Sequence, residues 1–231
     1  MASAKNLRDR VVLGDETVLQ DPNICQPLNQ KGTTPLHYAV QKFESTLQHP
    51  AVATVRDMYK RTPLHFATLH WESSLHHPQV AEGQDEYGDT PLHYAAVEWE
   101  SSLDHAAVAT VRNNIGRTPL HEAVKVWEAA LKNPMVAVVQ SNRGETPLHI
   151  AADYWVSAFD HPAAKVMLED GDYLIHNKCR RSSTSAPVSR HPDFKTLKNL
   201  WGYTPEQVRG IPIETTDTNN SDEDIYQEET K

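Results

Sequence analysis

Apolar positions along this chain recur with a helical period that is itself repeated. Leu36, Ala39, Val40, Phe43 and Leu47 fall at i, i+3, i+4, i+7 and i+11, the spacing of one helix face. The same stripe returns every 28 residues: an aromatic at Phe43, Trp71, Trp99, Trp127 and Trp155, and a large apolar residue at Leu47, Leu75, Leu103, Leu131 and Phe159. A stripe this short cannot bury itself alone, so the period predicts stacked units that bury their apolar faces on one another.

Other columns keep the same register. Thr-Pro-Leu-His begins at Thr34, Thr62, Thr90, Thr118 and Thr146. The threonine is suited to a helix N-cap, its hydroxyl accepting a free first-turn amide, and the proline suits the first helical position. His-Pro or its remnant follows at His49-Pro50, His77-Pro78, His105-Ala106, Asn133-Pro134 and His161-Pro162. Proline disfavours helix in the residue before it, so this pair predicts a stop. A glycine precedes the threonine by two residues at Gly32, Gly88, Gly116 and Gly144, with Lys60 the exception. The residues between, such as 50–61, read as a connecting loop or finger.

The stretch Asp85-Glu86-Tyr87-Gly88-Asp89-Thr90-Pro91-Leu92-His93-Tyr94-Ala95-Ala96 resembles the ankyrin repeat, with that family's glycine turn leading into its Thr-Pro-Leu-His helix start. The likeness is strong over about residues 30–170. It implies an all-α repeat solenoid that binds another protein through finger tips and the exposed side of the first helices. The family unit is ~33 residues with two antiparallel helices, and this one has 28. Either the second helix shrinks to a turn or two, such as 44–48, or the two helices fuse into one.

The flanks read as caps. Leu19-Gln20-Asp21-Pro22 aligns with Leu47-Gln48-His49-Pro50, making 1–33 a degenerate capping repeat before five repeats over 34–172. A lengthened repeat and a second cap are expected over 173–213, where His191-Pro192 precedes Thr204-Pro205. Residues 214–231 read as an acidic disordered tail.

Charge sharpens that division. Lys and Arg total 22 against 31 Asp and Glu, for a net of −9. The tail holds seven acids and one base, so the body is close to neutral and lacks a basic footprint for nucleic acid. Cys25 and Cys179 stand far apart without metal-ligand spacing. No run approaches the ~20 apolar residues of a membrane span, and the charged N-terminus does not read as a secretory signal. A cytoplasmic monomer is the expectation, and export into a host remains compatible with the sequence.

The 13 histidines invite a metal or a catalytic base. Equivalent histidines on helices ~8–10 Å apart cannot share one zinc, so His37, His65, His93, His121 and His149 are expected to tie each turn to its helix start. His70, His76 and His77 form a local cluster that reads as incidental. No nucleophile pairs with a base, and no phosphate or dinucleotide motif occurs; no enzyme activity, cofactor or metal is expected. The tryptophan column is either core or an exposed ladder.

Recognition is expected in the columns that change between units. Met58, Tyr59, Glu86, Tyr87, Asn114, Ile115, Asn142 and Arg143 at the finger tips are the candidate partner-binding residues. Gln41, Lys42, Leu69, His70, Val97, Glu98, Lys125, Val126, Asp153 and Tyr154 flank them on the helices. The basic stretch 177–184 offers Ser182 and Ser183 as phosphorylation sites beside arginines, or a patch for the acidic tail. A protein-binding scaffold is the leading reading. A regulatory subunit of an enzyme and a secreted effector are its rivals.

Overall fold

Proline sets where each helix after the first starts, and an extended aromatic residue sets where it stops. In a computed structural model, residues 2–152 and 154–164 are described. The α-helices are α1 (Ala2–Val12), α2 (Pro35–Ala39), α3 (Pro63–Ala67), α4 (Pro91–Glu98), α5 (Pro119–Ala123) and α6 (Pro147–Ala151). Each is followed by a 3₁₀ turn: Glu16–Gln20, Glu44–Gln48, Glu72–His76, Glu100–Asp104, Glu128–Lys132 and Val156–Asp160. No strand occurs among the described residues, and consecutive helices contact one another along the series. No helix among them is long and apolar enough to cross a membrane. The expected repeat and cap over 173–213, the tail, Cys179, Ser182 and Ser183 lie outside the described residues.

The fused-helix alternative is overturned at one residue per unit. Trp71 has φ −131 and ψ 109, and Trp99 has φ −128 and ψ 117, both extended. The hinge turns the 3₁₀ segment back along the helix, which brings the indole against the preceding unit. Trp71 Nε1 donates to the Val40 carbonyl at 2.6 Å, Trp99 to Thr68 at 2.6 Å, Trp127 to Ala96 at 3.0 Å and Trp155 to Val124 at 2.6 Å. The tryptophan column is therefore neither fully core nor an open ladder. Each ring is half-buried, and its N–H satisfies a carbonyl at the end of the previous helix, where no amide of that helix can reach.

Helix capping adds a histidine ring to the expected threonine. His37 Nδ1 accepts the Thr34 amide at 3.2 Å, and His65, His93, His121 and His149 do the same for their threonines at 3.0–3.1 Å. The threonine hydroxyl, expected to cap an amide, lies against the same ring nitrogen, at 2.9 Å in the first unit. The hydroxyl also faces the histidine amide in every unit, at 3.4 Å for Thr146. This is a capping box with histidine where glutamate or glutamine is usual.

The segment after His-Pro does more than connect. The histidine ring caps it: His49 Nδ1 accepts from Ala51 N–H at 3.1 Å, and Asn133 Oδ1 performs the same task for Met135 at 2.9 Å. That turn buries Val52, Val80, Val108 and Val136 against Leu64, Leu92, Leu120 and Leu148. The valine carbonyl then accepts the leucine amide, at 2.8–2.9 Å in each unit. A buried side chain of this size contributes ~1.5–3 kcal/mol, so a lean unit becomes stable by sharing its interior with two neighbours.

α1 reaches the same result by a different register. Leu7 and Val11 are buried against α2, while Arg10 bonds Asp15, which caps the first 3₁₀ turn.

Candidate functional site: the finger row

Each finger is built around one side chain that holds its own turn. Asp57 Oδ1 accepts the Tyr59 and Arg61 amides, both at 2.9 Å, and the Asp57 amide donates to the Arg61 carbonyl at 3.0 Å. Asp85 and Asn113 repeat the pattern, and the Ser141 hydroxyl accepts only the Arg143 amide. Aspartate and asparagine do this because their short side chains mimic a backbone acceptor.

Neighbouring fingers are joined into a row. Met58 N–H donates to the Lys31 carbonyl at 2.8 Å, Glu86 to Tyr59 at 2.9 Å, Asn114 to Tyr87 at 3.0 Å and Asn142 to Ile115 at 2.9 Å. Asn114 Nδ2 adds a bond to the Glu86 carbonyl at 2.9 Å, and Asn142 Nδ2 one to Asn114 at 3.0 Å. Those asparagines lie over the glycine of the finger before. A Cβ on Gly88 would stand 2.6 Å from Asn114 N, and one on Gly116 would stand 2.6 Å from Asn142 N. Lys60, at φ 61, carries a side chain at the equivalent left-handed position, and the next finger there has Glu86 in place of an asparagine.

The candidate residues separate once placed. Met58, Tyr87 and Ile115 are 57%, 47% and 47% exposed, a run of large apolar tips on three successive fingers. Glu86 and Arg143 are exposed beside them. Tyr59, expected at an exposed tip, is half-buried, with the Arg61 guanidinium carbon 4.9 Å from its ring centre. Asn114 and Asn142, expected to meet a partner, spend their amide donors fastening one finger to the next. On the helix side Gln41, Lys42, His70, Val97, Glu98, Val126 and Tyr154 are exposed, whereas Leu69 and Lys125 are half-buried, and Asp153 lies outside the described residues.

Between fingers and helices runs a layer that repeat comparison did not single out. Tyr38, Phe66 and Tyr94 occupy one half-buried column. His37 meets Phe66 edge-on at 5.8 Å between ring centres, and His65 meets Tyr94 at 5.5 Å. Arg61 lies 4.7 Å over Phe66, and Tyr94 Oη donates to Asp85 at 2.9 Å. An aromatic follows Thr-Pro-Leu-His directly in the first three units, which is the signal that could have found them.

Electrostatics in this layer are set by burial. His65, His93 and His121 are held down to about 4 by loss of water around the charged form. Their Nδ1 atoms accept amides, so the ring proton sits on Nε2, which donates to Asp89, Arg117 and Glu145 carbonyls at 3.1–3.2 Å in the following unit. Asp89 is pushed up to about 6, mainly by burial, although Asn113 Nδ2 donates to it at 2.8 Å.

A polar groove of about 560 Å³ opens beside the second and third fingers, lined by Arg56, Lys60, Glu82, Gln84, Glu86 and Asn114. Among the described residues no group of three or more His, Cys, Asp or Glu side chains could hold a metal. His70 and His76 are exposed, while His77 caps Gln79 at 3.2 Å. The arrangement is one of fixed backbone and side-chain display along a continuous edge. No family model matches this chain, and no curated protein matches it.

Proposed function

We propose that this chain is an ankyrin-type solenoid that binds another protein along the finger row and the adjoining helix face, without catalysing a reaction. The observation that carries the reading is the division between columns. Positions that hold the stack are buried and repeat, as with the five leucines at Leu36, Leu64, Leu92, Leu120 and Leu148. Positions that face outward at the tips change from unit to unit and include Met58, Tyr87 and Ile115, large apolar groups in a polar setting. Aromatic and aliphatic side chains presented on a rigid frame are the usual centres of protein recognition. The ring nitrogens of His37, His65, His93 and His121 are both engaged, which leaves these histidines poorly suited to proton transfer.

The test is affinity capture with the full chain and with Met58→Ser, Tyr87→Ser, Ile115→Ser combined. Each change removes an exposed side chain and leaves the ladder bonds in place, so unfolding midpoints should match. A stoichiometric protein held by the parent and lost by the triple variant is the expected result. Equal recovery by both would remove the finger row from the reading.

A further inference from the structure

The finger row carries charge that the fold leaves unanswered. Arg56 Nη1 donates to the Gln84 carbonyl at 2.9 Å, and Arg112 Nη1 donates to the Gly116 and Gln140 carbonyls. A carbonyl satisfies an N–H without cancelling the cation. Arg61 and Arg117, by contrast, pair with Asp57 and with Glu122 and Glu145. Among the described residues no carboxylate pairs with Arg56, Lys60 or Arg112. The finger between them presents exposed Glu86 and Tyr87. Over three successive units the row therefore reads basic, acidic with an apolar tip, and basic.

Its spacing is fixed by the stack. Consecutive units are in contact helix to helix, a packing distance of ~8–10 Å, so the two basic fingers, two units apart, lie ~20 Å apart. A segment complementary to that pattern needs two acidic groups ~20 Å apart with an uncharged, partly apolar stretch between them. Residues 222–229 read Asp-Glu-Asp-Ile-Tyr-Gln-Glu-Glu. Extended chain covers ~3.3 Å per residue, which puts the centres of its acidic triplet and acidic pair ~18 Å apart. Ile225, Tyr226 and Gln227 then fall opposite the acidic finger, where a further carboxylate would be repelled. Reach is sufficient. From Ala164 to Ser221 is 57 residues of chain, a contour length several times the ~20 Å between the basic fingers.

We propose that residues 222–229 lie across the second to fourth fingers of their own chain. Asp222, Glu223 and Asp224 meet Arg112, Ile225 and Tyr226 pack on Tyr87, and Glu228 and Glu229 meet Arg56 and Lys60. The tail is then a built-in competitor for the row. That competitive role rests on the reading of the row as a partner surface, whereas the contact itself does not.

The contact is tested on the full-length chain carrying Cys25→Ala, Cys179→Ala and Ser221→Cys, with a nitroxide on the new thiol. Amide signals of Tyr59, Tyr87 and Ile115 should lose most of their intensity in dilute buffer. They should recover in 1 M salt, where the screening length falls to roughly 3 Å. Replacing Asp222, Glu223 and Asp224 with their amides should abolish the loss while the spectrum of the stack stays in place. Loss spread evenly, or centred on residues 177–184 or on helix-face residues 42, 70, 98 and 126, would overturn the proposal. So would loss seen on an unspin-labelled chain mixed with a nitroxide-bearing one, because the occupant would then be a second copy. No external partner enters this measurement, so it fails or succeeds separately from the capture experiment. If both hold, deleting 214–231 should increase the partner recovered several-fold, and unchanged recovery would remove the competitive role.

Discussion

Lowering the pH from 7 to 5 should cost this protein about 4 kcal/mol of stability, and the buried histidines set that figure. His65, His93 and His121 are held to about 4, against 6.5 for an exposed ring. Below pH 6.5 the unfolded chain takes up protons that the folded chain refuses, so stability falls as pH drops and levels off only near pH 4. At 1.36 kcal/mol per unit, each ring removes about 2 kcal/mol between pH 7 and 5. Asp89 works in the opposite sense. Its carboxyl is raised from 3.8 to about 6, so the folded state binds a proton more readily there and regains about 1 kcal/mol over the same interval. The geometry agrees with the sign, because a proton on Nδ1 would point at the threonine amide that the ring now accepts and leave a charge against the next unit. Urea unfolding followed by far-ultraviolet circular dichroism at pH 7 and pH 5 measures the difference. His93→Gln should retain only about two thirds of the loss that His65, His93 and His121 cause, since it removes one of those three. A midpoint unchanged between the two pH values, or a full loss surviving in that variant, would refute the argument.

Two further substitutions probe the contacts between units. Trp99→Phe keeps the ring but removes the donor to Thr68, and should lower stability by about 1 kcal/mol, read from the denaturant midpoint. Gly116→Ala should cost about 2–4 kcal/mol, because φ there is +77 and the new Cβ meets the Asn142 backbone. Lys60→Gly should instead raise the midpoint by roughly 0.5–1 kcal/mol, since it relieves a left-handed backbone where no asparagine closes over the turn.

Much of this architecture could be read from the period alone. Thr-Pro-Leu-His located the starts of α2 to α6 to the residue, because proline and the capping pair restrict the backbone strongly and locally. The break at the aromatic was harder. An unbroken apolar stripe is compatible with one helix or two, and only the indole's reach to the Val40 or Thr68 carbonyl decides between them. The finger tips were legible as variable positions, and Met58, Tyr87 and Ile115 do stand out from the surface. Tyr59 does not, because Arg61, two residues on, lies over its ring. The asparagines misled for a similar reason. Their amides look free in sequence, yet each partner carbonyl lies 28 residues back, a distance that becomes short only when the units stack.

The asparagine-over-glycine contact also gives the units an order. Excising residues 90–117 would set Gly88 beneath Asn142, a pairing Gly116 already makes. Excising residues 62–89 would set Lys60 beneath Asn114, a side chain into a space only hydrogen can occupy. Copies that look interchangeable by their shared motif are thus keyed to their neighbours, and a lineage that shortens or shuffles such an array must respect which tooth follows which.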